Sequence, residues 1–194
     1  KLELNDIRGF GRGKPLLHAA FLLGALGIAG VPLFNGYISK SLLHESILEY
    51  VALLGESGAA AGLYRFVEIL FVVTGGMTLA YMTKLYVALF WEKNDTSQAQ
   101  FDALNGKYMN RLSAFALCGS AVLLPLLGML PDVFMTRIAA LAQGFLGGVS
   151  PEHAVAYFSS ENLMGALKSI VIGAVLYALI RAFLMQKEKR SRAY

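Results

Sequence analysis

The stretch His18-Ala19-Ala20-Phe21-Leu22-Leu23-Gly24-Ala25-Leu26-Gly27-Ile28-Ala29-Gly30-Val31-Pro32-Leu33-Phe34-Asn35-Gly36-Tyr37-Ile38-Ser39-Lys40 is apolar over most of its length, interrupted in its middle, and closed by a lysine. Residues 16–39 carry no Asp, Glu, Lys or Arg. Such a run suffices to cross roughly 30 Å of hydrocarbon at about 1.5 Å per residue. Gly30, Pro32, Asn35 and Gly36 fall within seven positions and predict a helix break near 31–37, because proline lacks an amide donor and glycine relaxes backbone limits. Gly24, Gly27 and Gly30 recur every third residue and would admit a close neighbouring helix.

Working outward, residues 112–131 are also free of charge, and 69–83 and 169–180 form shorter uncharged cores. The chain is 56% hydrophobic and 15% charged, against about a quarter charged in a soluble domain. A soluble helical core would absorb one or two such runs, but not four. Spanning segments must be helical, since an open sheet leaves unpaired backbone groups in lipid. The expected fold is therefore all-α: a polytopic transmembrane protein with a discontinuous helix near residues 31–37. Its expected parts are a polar lead-in over 1–15, a discontinuous crossing over 16–54, spans at 64–91, 111–130 and 162–185, an interfacial segment at 132–160 and a basic tail at 186–194.

Charge parity decides the number of crossings. If 16–54 crosses once, Lys1, Arg8, Arg12, Lys14, Lys93, Lys107, Arg111, Lys187, Lys189, Arg190 and Arg192 share one side, and Arg65 and Arg137 take the other. That asymmetry places the basic side, tail included, in the cytoplasm. Two complete crossings would split it. The formal charge of +4 thus reflects orientation in a bilayer and not a nucleic-acid partner. Cys118 is the only cysteine, so no internal disulfide exists. No His-Glu-x-x-His motif, phosphate-binding loop or cysteine ligand set appears, and no cofactor or metal is expected in this chain.

Lys40 follows the interruption directly, with His44 one turn later on the same face. A charge at this depth should face protein or water, and partial burial makes a lysine ammonium a readier proton donor. The competing reading is an interfacial lysine that snorkels to headgroups. Glu45 and Glu49 share a face and either exchange charge with Lys40 or mark the helix leaving the membrane. Lys84, two turns before Trp91, is either buried or snorkelling. Glu68 and Lys168 read as near-interfacial, and His18 as a satisfied packing histidine. The candidate proton path is Lys40, His44, Lys84, Glu45 and Glu49.

Three stretches carry a resemblance: Asp6-Ile7-Arg8-Gly9-Phe10-Gly11-Arg12-Gly13-Lys14-Pro15, then Leu22 to Pro32, then Phe34-Asn35-Gly36-Tyr37-Ile38-Ser39-Lys40. Leu79 to Trp91, Leu127 to Pro131 and Glu161 to Lys168 extend it over nearly the whole chain. The sequence resembles the C-terminal part of the large antiporter-like subunits of respiratory complex I, energy-converting membrane hydrogenases and multisubunit cation/proton antiporters. The resemblance implies a discontinuous helix whose lysine, here Lys40, serves a proton path. It often has arginine where this chain has Lys84, which keeps the charge and loses the fork geometry. The family's earlier transmembrane half, with its membrane glutamate and central lysines, is not in these residues, so a longer subunit is expected.

The implied function is proton translocation as a membrane subunit of a redox-driven oxidoreductase complex, of quinone reductase or membrane hydrogenase type. The rivals are a sodium/proton antiporter subunit and a structural scaffold without its own ion path. Expected partners are other integral membrane subunits, a peripheral redox module that holds the redox cofactors, membrane lipid, and protons, with sodium as the rival ion. The expected location is an energy-conserving bacterial or archaeal cell membrane.

Overall fold

The computed structural model describes residues 3–57, 61–104, 106–145, 147 and 156–184. The basic tail, Lys1 and residues 148–155 of the expected interfacial segment lie outside the described residues. The described residues form an all-α polytopic transmembrane fold: α1 (Leu4–Ile7), α2 (Pro15–Ala29), α3 (Asn35–Glu56), α4 (Gly62–Tyr86), α5 (Gln98–Ala103), α6 (Arg111–Met129), α7 (Pro131–Phe145) and α8 (Ser160–Leu179). Helices α4 and α8 run on into π-helical turns at Val87–Trp91 and Ile180–Leu184.

Three helical stretches, Gly62–Trp91, Arg111–Met129 and Ser160–Leu184, are long and apolar enough to cross a membrane. Only 11%, 11% and 6% of their most apolar windows are buried within the chain. Water would not tolerate so much outward apolar surface, and lipid does.

The interruption near 31–37 is present. Gly30 caps α2 in the left-handed region (φ 75°), and its N–H donates to Leu26 and Gly27 carbonyls. Pro32 lies in the connecting turn, and extended Phe34 precedes α3. Asn35 and Gly36 belong to the first turn of α3, so the second helix begins inside the 31–37 interval expected to be broken. The break is short because Phe34 reverts to extended backbone and restarts the helix at once.

Contacts fix the relative direction of the two pieces. A Cβ on Gly36 would overlap the carbonyl oxygen of Gly27, and one turn later Lys40 reaches the carbonyl of Ala29. Positions therefore advance together along α2 and α3, so the pieces overlap and run the same way instead of folding into an antiparallel hairpin.

Helix α4 runs against both. His18 packs on Tyr86 and Phe90, His44 on Phe71, and Tyr50 on Tyr64, so rising positions in α2–α3 meet falling positions in α4. Helix α6 follows α2: Gly27 faces Leu124, and Gly128 abuts the Leu33–Phe34 backbone. Leu33 is itself left-handed (φ 75°), at a cost of about 1–2 kcal/mol for a non-glycine residue. Helix α8 follows α4, since Ser169 bonds to the Val72 carbonyl and Gly173 lies against Gly76 and Leu79. Glycine–glycine contact between α4 and α8 is the close approach that packs helices where no hydrophobic drive acts.

The start of α2, the end of α4 and the start of α6 consequently gather at one end of the bundle, with Arg8, Arg12, Lys14, Lys93, Lys107 and Arg111. There the lead-in caps α4. The N–H groups of Gly9 and Gly11 donate to the carbonyls of Ala88 and Leu89 (both 2.9 Å), and Arg12 bonds to the Trp91 carbonyl. These are orphan acceptors of a helix end. Arg8 pairs with Asp95 at 2.9 Å. Lys14 is buried, bonded to the carbonyls of Phe10 and Phe101, and its burial lowers its pKa, with Asp102 opposing the shift.

Substituting Gly36→Ala is expected to destabilise the assembled subunit by about 1–3 kcal/mol. The added methyl has only backbone to displace. A thermal-shift measurement on the purified assembly checks it, and an unchanged melting point would contradict the overlap of α2 and α3.

Candidate functional site

The break leaves the last carbonyls of α2 without intrahelical donors, and the negative end of its dipole points at the gap. Lys40 answers this directly. Its Nζ donates to the Ala29 carbonyl at 3.0 Å. The aliphatic stem lies against Gly30, where a Cβ would stand 2.6 Å from Lys40 Cδ. Only glycine both takes the left-handed cap and leaves room for this side chain.

The start of α3 is held from the other side. Tyr37 and Ile38 are 1% and 0% exposed and pack with Tyr157. The Tyr37 hydroxyl donates to the Tyr157 carbonyl at 2.7 Å, while the Tyr157 hydroxyl meets Thr136 of α7 at 3.1 Å. Segments near 157 and α7 thereby set the position from which Lys40 emerges.

Lys40 lines a cavity between α3, α4 and α8, shared with Gly30, Ser41, His44, Phe71, Asn162 and Ser169. It offers about 30 Å³ to water centres, enough for one or two water molecules among polar partners. His44 stacks on Phe71, ring centroids 5.8 Å apart, and its Nε2 lies 3.6 Å from Glu68 Oε1. That separation suits an ion pair when the ring is protonated and exceeds a direct hydrogen bond. Gly165 clears space for the imidazole, since a Cβ there would meet the ring at 3.3–3.4 Å. Beyond His44 lies a larger space of about 630 Å³ lined by Glu68, Glu161, Lys168 and apolar residues.

Of the expected path residues, the structure brings Lys40 and His44 together at one cavity. It does not bring the others there. Glu49 is exposed, and half-buried Glu45 has a buried Oε2 with no hydrogen-bond partner among the described residues. Neither carboxylate lines either cavity, and no ion pair joins them to Lys40 among the described residues. They sit on the same helix as Lys40 but are rotated by about 140° from the Lys40–His44 face. Lys84 occupies the last turn of α4, nine positions beyond Gly75 and thus about 13 Å further along the helix. His18 contacts the Tyr86 hydroxyl and stacks on Phe90 at 4.8 Å, a packing role.

Reasoning from sequence missed Asn162, Gly165, Ser169 and Phe71. The Gly165, Ser169, Gly173 spacing opposite Gly75-Gly76 is a small-residue stripe that pointed to the α4–α8 contact. Among the described residues, no group of three or more His, Cys, Asp or Glu is placed to hold a metal ion.

Comparison with known proteins bears on this arrangement. The chain is 24% identical over 190 residues, 92% of its length, to antiporter subunit mnhA2 of Staphylococcus epidermidis. It is 26% identical over 134 residues to the protein of that name from Staphylococcus saprophyticus, covering 68% of the chain. It is also 32% identical over 75 residues, 37% of the chain, to NADH-quinone oxidoreductase subunit N 1 of Solibacter usitatus. These matches support membership in the antiporter-like membrane subunit family. It spans 22%, 16% and 15% of those three relatives. No protein-family model matches the chain, and no solved structure matches it significantly. The relatives and the long apolar helices support an integral membrane location.

Gly30→Ala in the full-length antiporter-like subunit is expected to cut ion transport several-fold. It adds about 1–2 kcal/mol of left-handed strain and pushes the Lys40 stem from its seat. Transport in vesicles, normalised to assembled subunit on an immunoblot, is the measurement.

Proposed function

We propose that this chain is the C-terminal membrane part of a cation/proton antiporter subunit in which Lys40 takes up and releases the transported proton. The observation that carries the reading is the Lys40 ammonium, seated on the carbonyl end of a broken helix and facing a small polar cavity. A charge that was only structural would be expected to snorkel, at no cost in cavity or broken helix. The break supplies a fixed acceptor for the charged form and remains an acceptor for the neutral amine, so either state is tolerated.

Resemblance over 92% of the chain to an antiporter subunit, against 37% to a quinone oxidoreductase subunit, favours the antiporter reading over a redox-driven complex. The second reading, a proton-translocating subunit of a redox-driven complex, rests on the latter relative and shares the same Lys40 chemistry. Under either, α2 and α3 together make one discontinuous crossing, α4, α6 and α8 make the others, and the basic end faces the cytoplasm. The unpartnered apolar stripe Phe134, Ile138, Leu141 and Phe145 of α7 suits the membrane interface. The upstream half of the subunit and other integral membrane subunits would complete the path.

The test uses inside-out vesicles that contain the full-length subunit with its partners. A sodium gradient imposed without any reductant is expected to drive proton movement. Lys40→Met should abolish it at normal assembly, and so should Lys40→Arg, because guanidinium does not release its proton. Proton movement that requires a reductant would favour the redox-driven reading. Normal transport by Lys40→Met would leave the scaffold reading standing.

A further inference from the structure

The imidazole of His44 lines both spaces described above. On one side is the cavity that holds Lys40; on the other is the larger space, which reaches exposed Ser160 and Glu161 at the start of α8. Val72 and Gly165 line both as well, but His44 is the titratable side chain they have in common. Glu68 waits on the far side, 3.6 Å from Nε2. The exposures of the two side chains grade outward, 13% for His44 and 31% for Glu68.

Resting on the assignment of Lys40 as the proton-loading group, we infer that His44 and Glu68 form the relay that links the Lys40 cavity to the space beside Glu161 and Lys168. The transfer balances as three proton moves. The Lys40 ammonium gives a proton through cavity water to imidazole, leaving an amine and an imidazolium. The imidazolium gives a proton to the Glu68 carboxylate, leaving neutral imidazole and a carboxylic acid. The acid then loses its proton to water in the outer space. Each step reverses when flow reverses.

The charges around His44 fit this role. The charged groups facing the ring are Lys40 on its own helix and Glu68 on α4. On α8, Glu161 and Lys168 line the same outer space as Glu68. The 3.6 Å gap lets the imidazolium pull Glu68 in and the neutral ring let it go, which couples contact to protonation. Phe71 stacks on the ring and Gly165 leaves room for it on α8.

The test compares His44→Ala and His44→Gln with the parent in the same vesicles, across about pH 6 to 9. His44→Ala is expected to slow proton movement by at least about tenfold, as loss of a positioned proton-transfer group does. Millimolar imidazole should restore much of the rate, because the outer space admits the free base to the vacated site. Glu68→Gln should slow movement similarly and should not respond to imidazole. Where His44→Ala assembles poorly, His44→Gln decides by its rate per assembled subunit. Parent-like rates and pH profile in His44→Gln overturn the relay, as does a slow His44→Ala that imidazole leaves unchanged. Lys40→Met in parallel separates the two ideas: if it too transports normally, the Lys40 assignment fails, whereas loss there with normal His44 variants defeats the relay alone.

Discussion

A cation inside a bilayer needs a fixed partner, and here the partner is made by breaking a helix. Helix α2 stops at Ala29, its terminal carbonyls lose their donors, and the Lys40 ammonium takes the Ala29 carbonyl at 3.0 Å. An exposed ion pair could not do this in lipid, and a buried one would carry a large desolvation cost for two charges. A backbone carbonyl at the negative end of a helix dipole stabilises the cation without a second ionised group.

The rest of the bundle is arranged so that this contact exists. For Lys40 to reach Ala29, α3 must restart beside α2 and run in its direction, which brings Gly36 onto the Gly27 carbonyl and Gly128 of α6 onto the turn. Tyr37 and Tyr157 then hold the new helix start from the opposite side. Helices α4 and α8, joined through Gly76 and Gly173, close the cavity in front of the ammonium. At the far end the Gly9 and Gly11 amides cap α4 and keep it in register with α2.

Much of the fold was legible because lipid leaves few options. Apolar length, the absence of charge and the cluster of Gly30, Pro32 and Gly36 specify helices and one interruption. The site was legible in part. The four-residue spacing of Lys40 and His44 puts them on one face of any helix. Glu45 and Glu49 passed the same spacing test between themselves, yet their face lines neither cavity. Periodicity reports which residues share a face and says nothing about which neighbour covers it.

By itself, then, the sequence determined that this chain is helical, membrane-embedded, broken near residues 31–37, and supplied with a lysine just past the break. Those properties follow from local chemistry: hydrophobic length, missing amide donors and glycine's backbone freedom. The tertiary structure alone decided that the broken pieces run parallel and overlap. It also decided that the lysine meets a carbonyl eleven residues earlier, and that Glu68, Asn162 and Ser169 stand beside its cavity and the neighbouring space. These depend on how helices α3, α4 and α8 pack against one another, and packing arises from the shapes of facing surfaces that no single segment contains.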